Sequence, residues 1–141
     1  MVIPTAPSIR HPVIAEDIAS ILSRPEDWRS FAGKHVLIAG ATSFLAAYLV
    51  EFFAELSERW PEDPVTIYVL VRSLDKLKKR FPHLLGQPWF CPIVQDVCDP
   101  PPVIKRVDFI VHAASAGSPK QYLNDPVGTI KSNVVGGLNL L

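Results

Sequence analysis

A chain of 141 residues suits one compact domain with a sizeable core. Its 14 basic and 14 acidic residues balance, which argues against the strong basic excess of a nucleic-acid or anionic-membrane surface, so neither partner is expected. The most apolar run is soon followed by Glu51, Glu55 and Glu58, and the start lacks the uninterrupted apolar segment of a secretory signal, so no membrane span and a cytoplasmic location are expected. The 2 cysteines, Cys91 and Cys98, stand too far apart for a Cys-x-x-Cys motif and read as buried free thiols, with no metal site.

Residues 1–12 carry Pro4, Pro7 and Pro12 and little pattern, and read as an extended or poorly ordered arm. Val13, Ile14, Ile18, Ile21 and Leu22 around Glu16 and Asp17 predict a short amphipathic helix. Ser23-Arg24-Pro25-Glu26 has the spacing of a capping box and predicts a further turn of helix through Trp28 and Phe31, ended by Gly33. Residues 1–32 are thus expected to form a cover packed on the edge of a sheet, and residues 33–141 the α/β domain itself.

That domain opens on His35-Val36-Leu37-Ile38-Ala39, a continuous apolar run that predicts a strand buried on both faces. Leu45, Leu49, Phe52 or Phe53, and Leu56 then recur at helical spacing, so the chain must turn from strand to helix across Gly40-Ala41-Thr42-Ser43. A tight turn of this kind leaves the amides of the helix start unpaired and makes an anion site. Arg59 to Pro64 reads as a loop and Val65 to Arg72 as the second strand, parallel to the first through a right-handed crossover. Ser73 fits an N-cap, followed by Leu74, Leu77 and Phe81 at helical spacing, with Lys76, Lys78, Lys79 and Arg80 as a solvated face.

Trp89 to Asp96 predicts a third strand, and Pro92, which cannot donate to a ladder, places it at a sheet edge. Asp99-Pro100-Pro101-Pro102 is stiff and leaves little room for a crossover helix. Val107 to Ser115 predicts the fourth strand and its exit, and Ala116 to Tyr122 a loop in which Ser118, Lys120 and Tyr122 could face a substrate. Asp125-Pro126 starts a helix whose Ile130, Val134, Leu138 and Leu141 make an apolar stripe. The expected sheet order is 3-2-1-4, with the third strand at one edge.

Four of these segments carry a resemblance. Gly40-Ala41-Thr42-Ser43-Phe44-Leu45-Ala46 resembles the Gly-x-x-Gly-x-x-Gly turn of extended short-chain dehydrogenase/reductases, in particular the NAD-dependent epimerases and dehydratases that act on nucleotide sugars. Ser43 stands at the second glycine and Ala46 at the third. Asp96-Val97 resembles the family's acidic and aliphatic pair beside adenine. Asp108 to Ala114 resembles its Asp-x-aliphatic-aliphatic-His-x-Ala strand, and Thr129 to Leu141 its Asn-Val-x-Gly-Thr-x-Asn-Leu-Leu helix, with Gly137 at the threonine.

The resemblance implies a Rossmann-type parallel sheet flanked by helices, NAD or NADP as cofactor and a nucleotide sugar as substrate. It implies cofactor contacts from Gly40, Thr42, Ser43, Phe44, Leu45, Asp96, Val97, Ala113, Ala114 and Ser115, and a supporting role for Asn133 beside the active site. His112 is given no proton-transfer role. At the tip of the second strand, where a carboxylate would bind ribose hydroxyls, stands Arg72, which can pair with a 2′-phosphate, lie flat on adenine, or simply be solvated.

The family's chemistry also needs a Tyr-x-x-x-Lys pair, in which the lysine lowers the tyrosine pKa. Tyr48, Tyr68 and Tyr122 are followed four residues on by Phe52, Arg72 and Pro126. The chain is therefore expected to be the front part of a longer enzyme, truncated before the later strands and the substrate domain, inactive by itself and binding NAD(P) weakly or not at all. The alternative is a non-catalytic dinucleotide-sensing or interaction module, with Ser43 as its mark. Truncation is expected to expose the fourth strand and to drive self-association through that edge.

Overall fold

A computed structural model describes residues 10–100 and 103–141. The elements in chain order are α1 (Pro12–Leu22), a 3-10 turn (Trp28–Phe31), β1 (His35–Ala39), α2 (Phe44–Arg59), β2 (Thr66–Val71), α3 (Leu74–Arg80), β3 (Phe90–Val94), β4 (Phe109–His112), α4 (Pro119–Asn124) and α5 (Pro126–Leu140). The strands form one parallel sheet in the expected order β3-β2-β1-β4, with Pro92 on an edge strand. Between β3 and β4 the described residues contain no helix. Pro101 and Pro102 of the proline run lie outside the described residues.

Successive strand residues point to opposite faces. Val36, Ile38, Ile67, Val69, Val71 and Phe90 pack with α1, α2 and the segment from Leu77 to Trp89 in one large cluster. Leu37, Ala39 and Leu70 face the other way, where, among the described residues, only Val97 and Leu140 join them as buried partners.

Helix α2 keeps the second half of its expected stripe, Phe52, Phe53 and Leu56, in the core, but not the first half. There Ala46, Ala47 and Val50 are buried, whereas Leu45 is exposed and Leu49 partly so. The alanines win because small side chains let the start of the helix lie against β1, and Leu45 and Leu49 turn outward. Ser57 is buried without cost because its hydroxyl donates to Phe53 O and sits 2.9 Å from Val65 O.

The N-terminal cover packs on α2 and, through Phe31, reaches the edge strand β4. Ile18 and Leu22 enter the large cluster, and Trp28 and Phe31 set their rings edge-on to Phe52, with Phe31 also 5.4 Å from Phe109 of β4. No capping box forms: Ser23 ends α1, its hydroxyl donating to Ser20 O, and Asp27 precedes the 3-10 turn without a side-chain cap. Most of the proline-bearing arm lies outside the described residues, but Arg10 is tied down. Its Nε is 2.8 Å from Glu51 Oε2, and its other nitrogens reach Glu55 and Glu58. His83 Nε2 lies 3.0 Å from the same Glu51 oxygen.

Caps at the other helix starts agree with the sequence. Ser73 Oγ accepts the Lys76 N–H at 3.3 Å and Asp125 Oδ1 accepts the Gly128 N–H at 2.9 Å. The expected loop from Ala116 to Tyr122 instead winds into α4, because Ser118-Pro119 supplies both a cap and a proline at the first turn. The stripe of α5 exists but faces outward: Ile130, Val134 and Leu138 are exposed, and the residues that α5 buries are Gly136 and Leu140. Its packing face is set by Gly136, where a Cβ would stand 2.7 Å from a methyl of Val97. Cys91 and Cys98 are free and half-buried, not fully buried as expected.

Candidate functional site

The turn after β1 is narrow, and one residue decides it. Gly40 has φ +75°, and a Cβ there would lie 2.6 Å from Ala113 O and 2.7 Å from Ala114 N. Both the left-handed backbone and the close approach of the β4 exit therefore require glycine. The Gly40 N–H donates to Leu70 O at 2.9 Å, and Ser43 N–H returns to Gly40 O at 2.9 Å. The first bond of α2 runs from Ala47 N–H to Ser43 O, which leaves the amides of Phe44, Leu45 and Ala46 as orphan donors. Ser43 is the N-cap with φ −70°, ordinary for any residue, and its hydroxyl makes no capping bond. A serine fits the second glycine's place here, and its hydroxyl is uncommitted.

This turn opens on a cleft of 1320 Å³ along the carboxyl ends of the strands. Open α/β sheets bind ligands there. Gly40, Thr42, Ser43, Arg72, Asp96, Val97, Ala113, Ala114 and Ser115 all line it. Phe44 and Leu45 do not, and both side chains are exposed. Only their amides belong to the turn. Asn133 is exposed on α5 and lies outside the cleft wall, which takes its neighbours Lys131 and Ser132 instead. Ser118, Lys120 and Tyr122 are likewise absent from the wall, while Gln121 is part of it.

Asp96 already has a local task. Its Oδ1 accepts the Cys98 N–H at 2.9 Å. That backbone bond, against some burial and with help from Arg72 and Lys131, holds its carboxyl below the usual range. Val97 is buried against Leu37, Ala39, Leu70 and Leu140. Asn139 fixes this corner by donating to Val97 O at 3.0 Å and Asp99 O at 2.7 Å. His112 Nε2 lies 3.1 Å from Ser132 O and ties β4 to α5, a structural task.

Lys76, Lys78, Lys79 and Arg80 are all exposed, as a solvated face requires, and Lys76, Lys79 and Arg80 also line the cleft beside Arg72 and Ser73, while Lys78 does not. The available signal was their spacing after Ser73, which puts Lys76, Lys79 and Arg80 on one side of a short helix.

The parallel sheet, the glycine turn and the small residues Ala113-Ala114-Ser115 beside it give the chain the form of a Rossmann-like α/β fold. Residues 36–141 match the NAD dependent epimerase/dehydratase family, and the chain belongs to that family. It is similar to UDP-glucuronic acid decarboxylase 5 of Arabidopsis thaliana, 38% identical over 106 residues, which cover 75% of this chain and 29% of that protein. UDP-glucuronic acid decarboxylase 1 of Danio rerio is 31% identical over 108 residues, covering 77% of this chain and 24% of that protein. The chain thus spans less than a third of the curated relatives it matches. Among solved structures, Pen from Bacillus thuringiensis shares the fold with a TM-score of 0.58 at 19% identity, over 78% of this chain and 33% of that one.

The residues present fit a dinucleotide. The cleft exceeds the ~300–1,000 Å³ of ordinary small-molecule pockets, and the amides of the α2 start are free to receive a diphosphate. Among the described residues no helix is long and apolar enough to cross a membrane, and no cluster of metal-ligating side chains occurs.

Proposed function

We propose that this chain is the NAD(P)-binding portion of a nucleotide-sugar epimerase, dehydratase or decarboxylase. The observation that carries the reading is the Gly40 turn, whose orphan amides open on one cleft with the tips of β2, β3 and β4. Gly40, Thr42, Ser43 and the amides of Phe44 and Leu45 would hold the diphosphate, Arg72, Asp96 and Val97 the adenosine end, and Ala113, Ala114 and Ser115 the ribose and diphosphate from the opposite wall. When bound, the dinucleotide would supply a hydride acceptor and donor for a sugar carbon. The chain's own part is to bind and orient. Neither Tyr48, Tyr68 nor Tyr122 has a lysine four residues on, so the chain by itself transfers no proton and turns nothing over.

Calorimetric titration with NAD and NADP tests the binding. The expected affinity is weaker than micromolar, because the cleft is open, and Gly40→Val abolishes it. Failure of both dinucleotides to bind at millimolar concentration overturns the reading. A purely dinucleotide-sensing role is the second reading, favoured by the same lack of a tyrosine–lysine pair. A Tyr-x-x-x-Lys pair in the gene's reading frame past Leu141 would exclude it.

The reading also supports self-association. Of the two sheet edges, β3 carries Pro92, whereas β4 is unprotected and exposes Phe109 and Ile110. Ile110→Lys is expected to shift the chain toward monomer in light scattering. A strictly monomeric wild-type chain at high concentration would refute this.

A further inference from the structure

The end of β2 departs from what an NAD site uses. Binding of an unmodified adenosine ribose calls for a carboxylate after that strand, which accepts from both ribose hydroxyls. This chain has Arg72-Ser73 there, with Lys76, Lys79 and Arg80 lining the same wall. Strand register sets the spacing: Ala39 pairs with Leu70, Gly40 N–H bonds Leu70 O, and Gln95 N–H bonds Val71 O. Arg72 therefore emerges between the diphosphate turn of β1 and the exit of β3, where the adenosine ribose of a ligand anchored at Gly40 must lie.

None of these cations is spent elsewhere. Among the described residues, the ion pairs formed involve Arg10, Arg29, His83 and Arg106, and neither Arg72, Lys76, Lys79 nor Arg80 takes part. Asp96 feels the charge of Arg72, but one of its oxygens is held by the Cys98 amide, and the other carboxylates of the cleft, Asp99 and Asp125, come from elements other than β2 and α3. The wall at β2 and α3 thus presents excess positive charge to the part of the ligand where NAD is neutral and NADP carries a phosphate.

We infer that the chain selects NADP over NAD, with Arg72 and Lys76 pairing the 2′-phosphate. The inference rests on the dinucleotide reading above and adds a specificity to it.

The test compares NADP with NAD, and 2′,5′-ADP with 5′-AMP, by titration calorimetry on the 141-residue chain. The two nucleotides of the second pair differ only by the phosphate in question. Charge-assisted bonds to the extra phosphate are expected to make the phosphorylated member of each pair bind roughly tenfold tighter. Lys76→Ala, at an exposed position, is expected to lower 2′,5′-ADP affinity about tenfold while leaving 5′-AMP unchanged, and Arg72→Ala to weaken 2′,5′-ADP about tenfold more than it weakens 5′-AMP. If NAD binds as tightly as NADP, or the variants weaken both nucleotides alike, the selectivity is wrong and the dinucleotide site stands. If none of the four ligands binds, both inferences fall. Equal competition by inorganic phosphate against 5′-AMP and 2′,5′-ADP would also overturn the assignment, because it would place the ion at the diphosphate turn alone.

Discussion

The two faces of the sheet are built from the same strands and are stabilised very differently. On one, Val36, Ile38, Ile67 and Val69 lie under α2, which is itself covered by α1 and the aromatic turn of Trp28 and Phe31. On the other, Leu37, Ala39 and Leu70 are sealed mainly by Val97 and Leu140, while Ile130, Val134 and Leu138 of α5 stand in solvent. Alternation along a strand divides the apolar residues equally, so the difference arises from what each face has to pack against. The first face carries the stability, and the second leaves room for the ligand cleft and for another surface.

Truncation at the centre of the first face gives the largest expected effect. Ile67→Ala should destabilise the chain by about 2–5 kcal/mol in urea unfolding, since Ile67 is fully buried on a central strand. A loss no greater than that of an exposed residue would break the comparison.

Next is the ion cluster that pins the N-terminal segment to α2. Burial works to raise the Glu51 pKa, but the hydrogen bonds from His83 and Arg10 outweigh it and hold the carboxyl below its ordinary value. Glu51→Gln leaves Arg10 and His83 without their shared partner, and should cost roughly 2–3 kcal/mol, less than a fully enclosed pair because Glu55 and Glu58 are open to water.

The same group sets an acid limb. A carboxyl whose pKa is lower folded than unfolded adds stability above its unfolded value, about 4.3 for glutamate, and that stability fades as pH falls through the folded value. Unfolding midpoints between neutral pH and the acid transition should therefore fall more steeply for the wild type than for Glu51→Gln. Parallel curves would show that Glu51 is not the group responsible.

The smallest effect is expected on the second face. Leu138→Ser should change monomer stability by no more than about 0.5 kcal/mol, because Leu138 is 69% exposed. A larger loss would mean that α5 is held by its stripe and not by Gly136 and Leu140.

Much of the architecture was legible in the chain. Continuous apolar runs marked β1 and β2, Pro92 put β3 at an edge, and Asp125-Pro126 and Ser73 marked helix starts that the structure keeps. These are local signals, since backbone chemistry within a few residues determines each. The turn at Gly40 was legible for the same reason, although the sequence could not show that the Ala113 carbonyl crowds it.

What only the tertiary structure decided is which side of each helix faces inward. Leu45 and Leu49 of α2 and the stripe of α5 had the right period but the wrong partner, because periodicity fixes a face without saying what lies opposite it. Alanines took the sheet side of α2 where the backbones come close, and Gly136 took that side of α5 against Val97. The placing of Lys76, Lys79 and Arg80 on the cleft wall is of the same kind. Charge is written in the sequence, but whether it meets water or a ligand depends on the crossing of α3 over β2, which long-range packing alone determines.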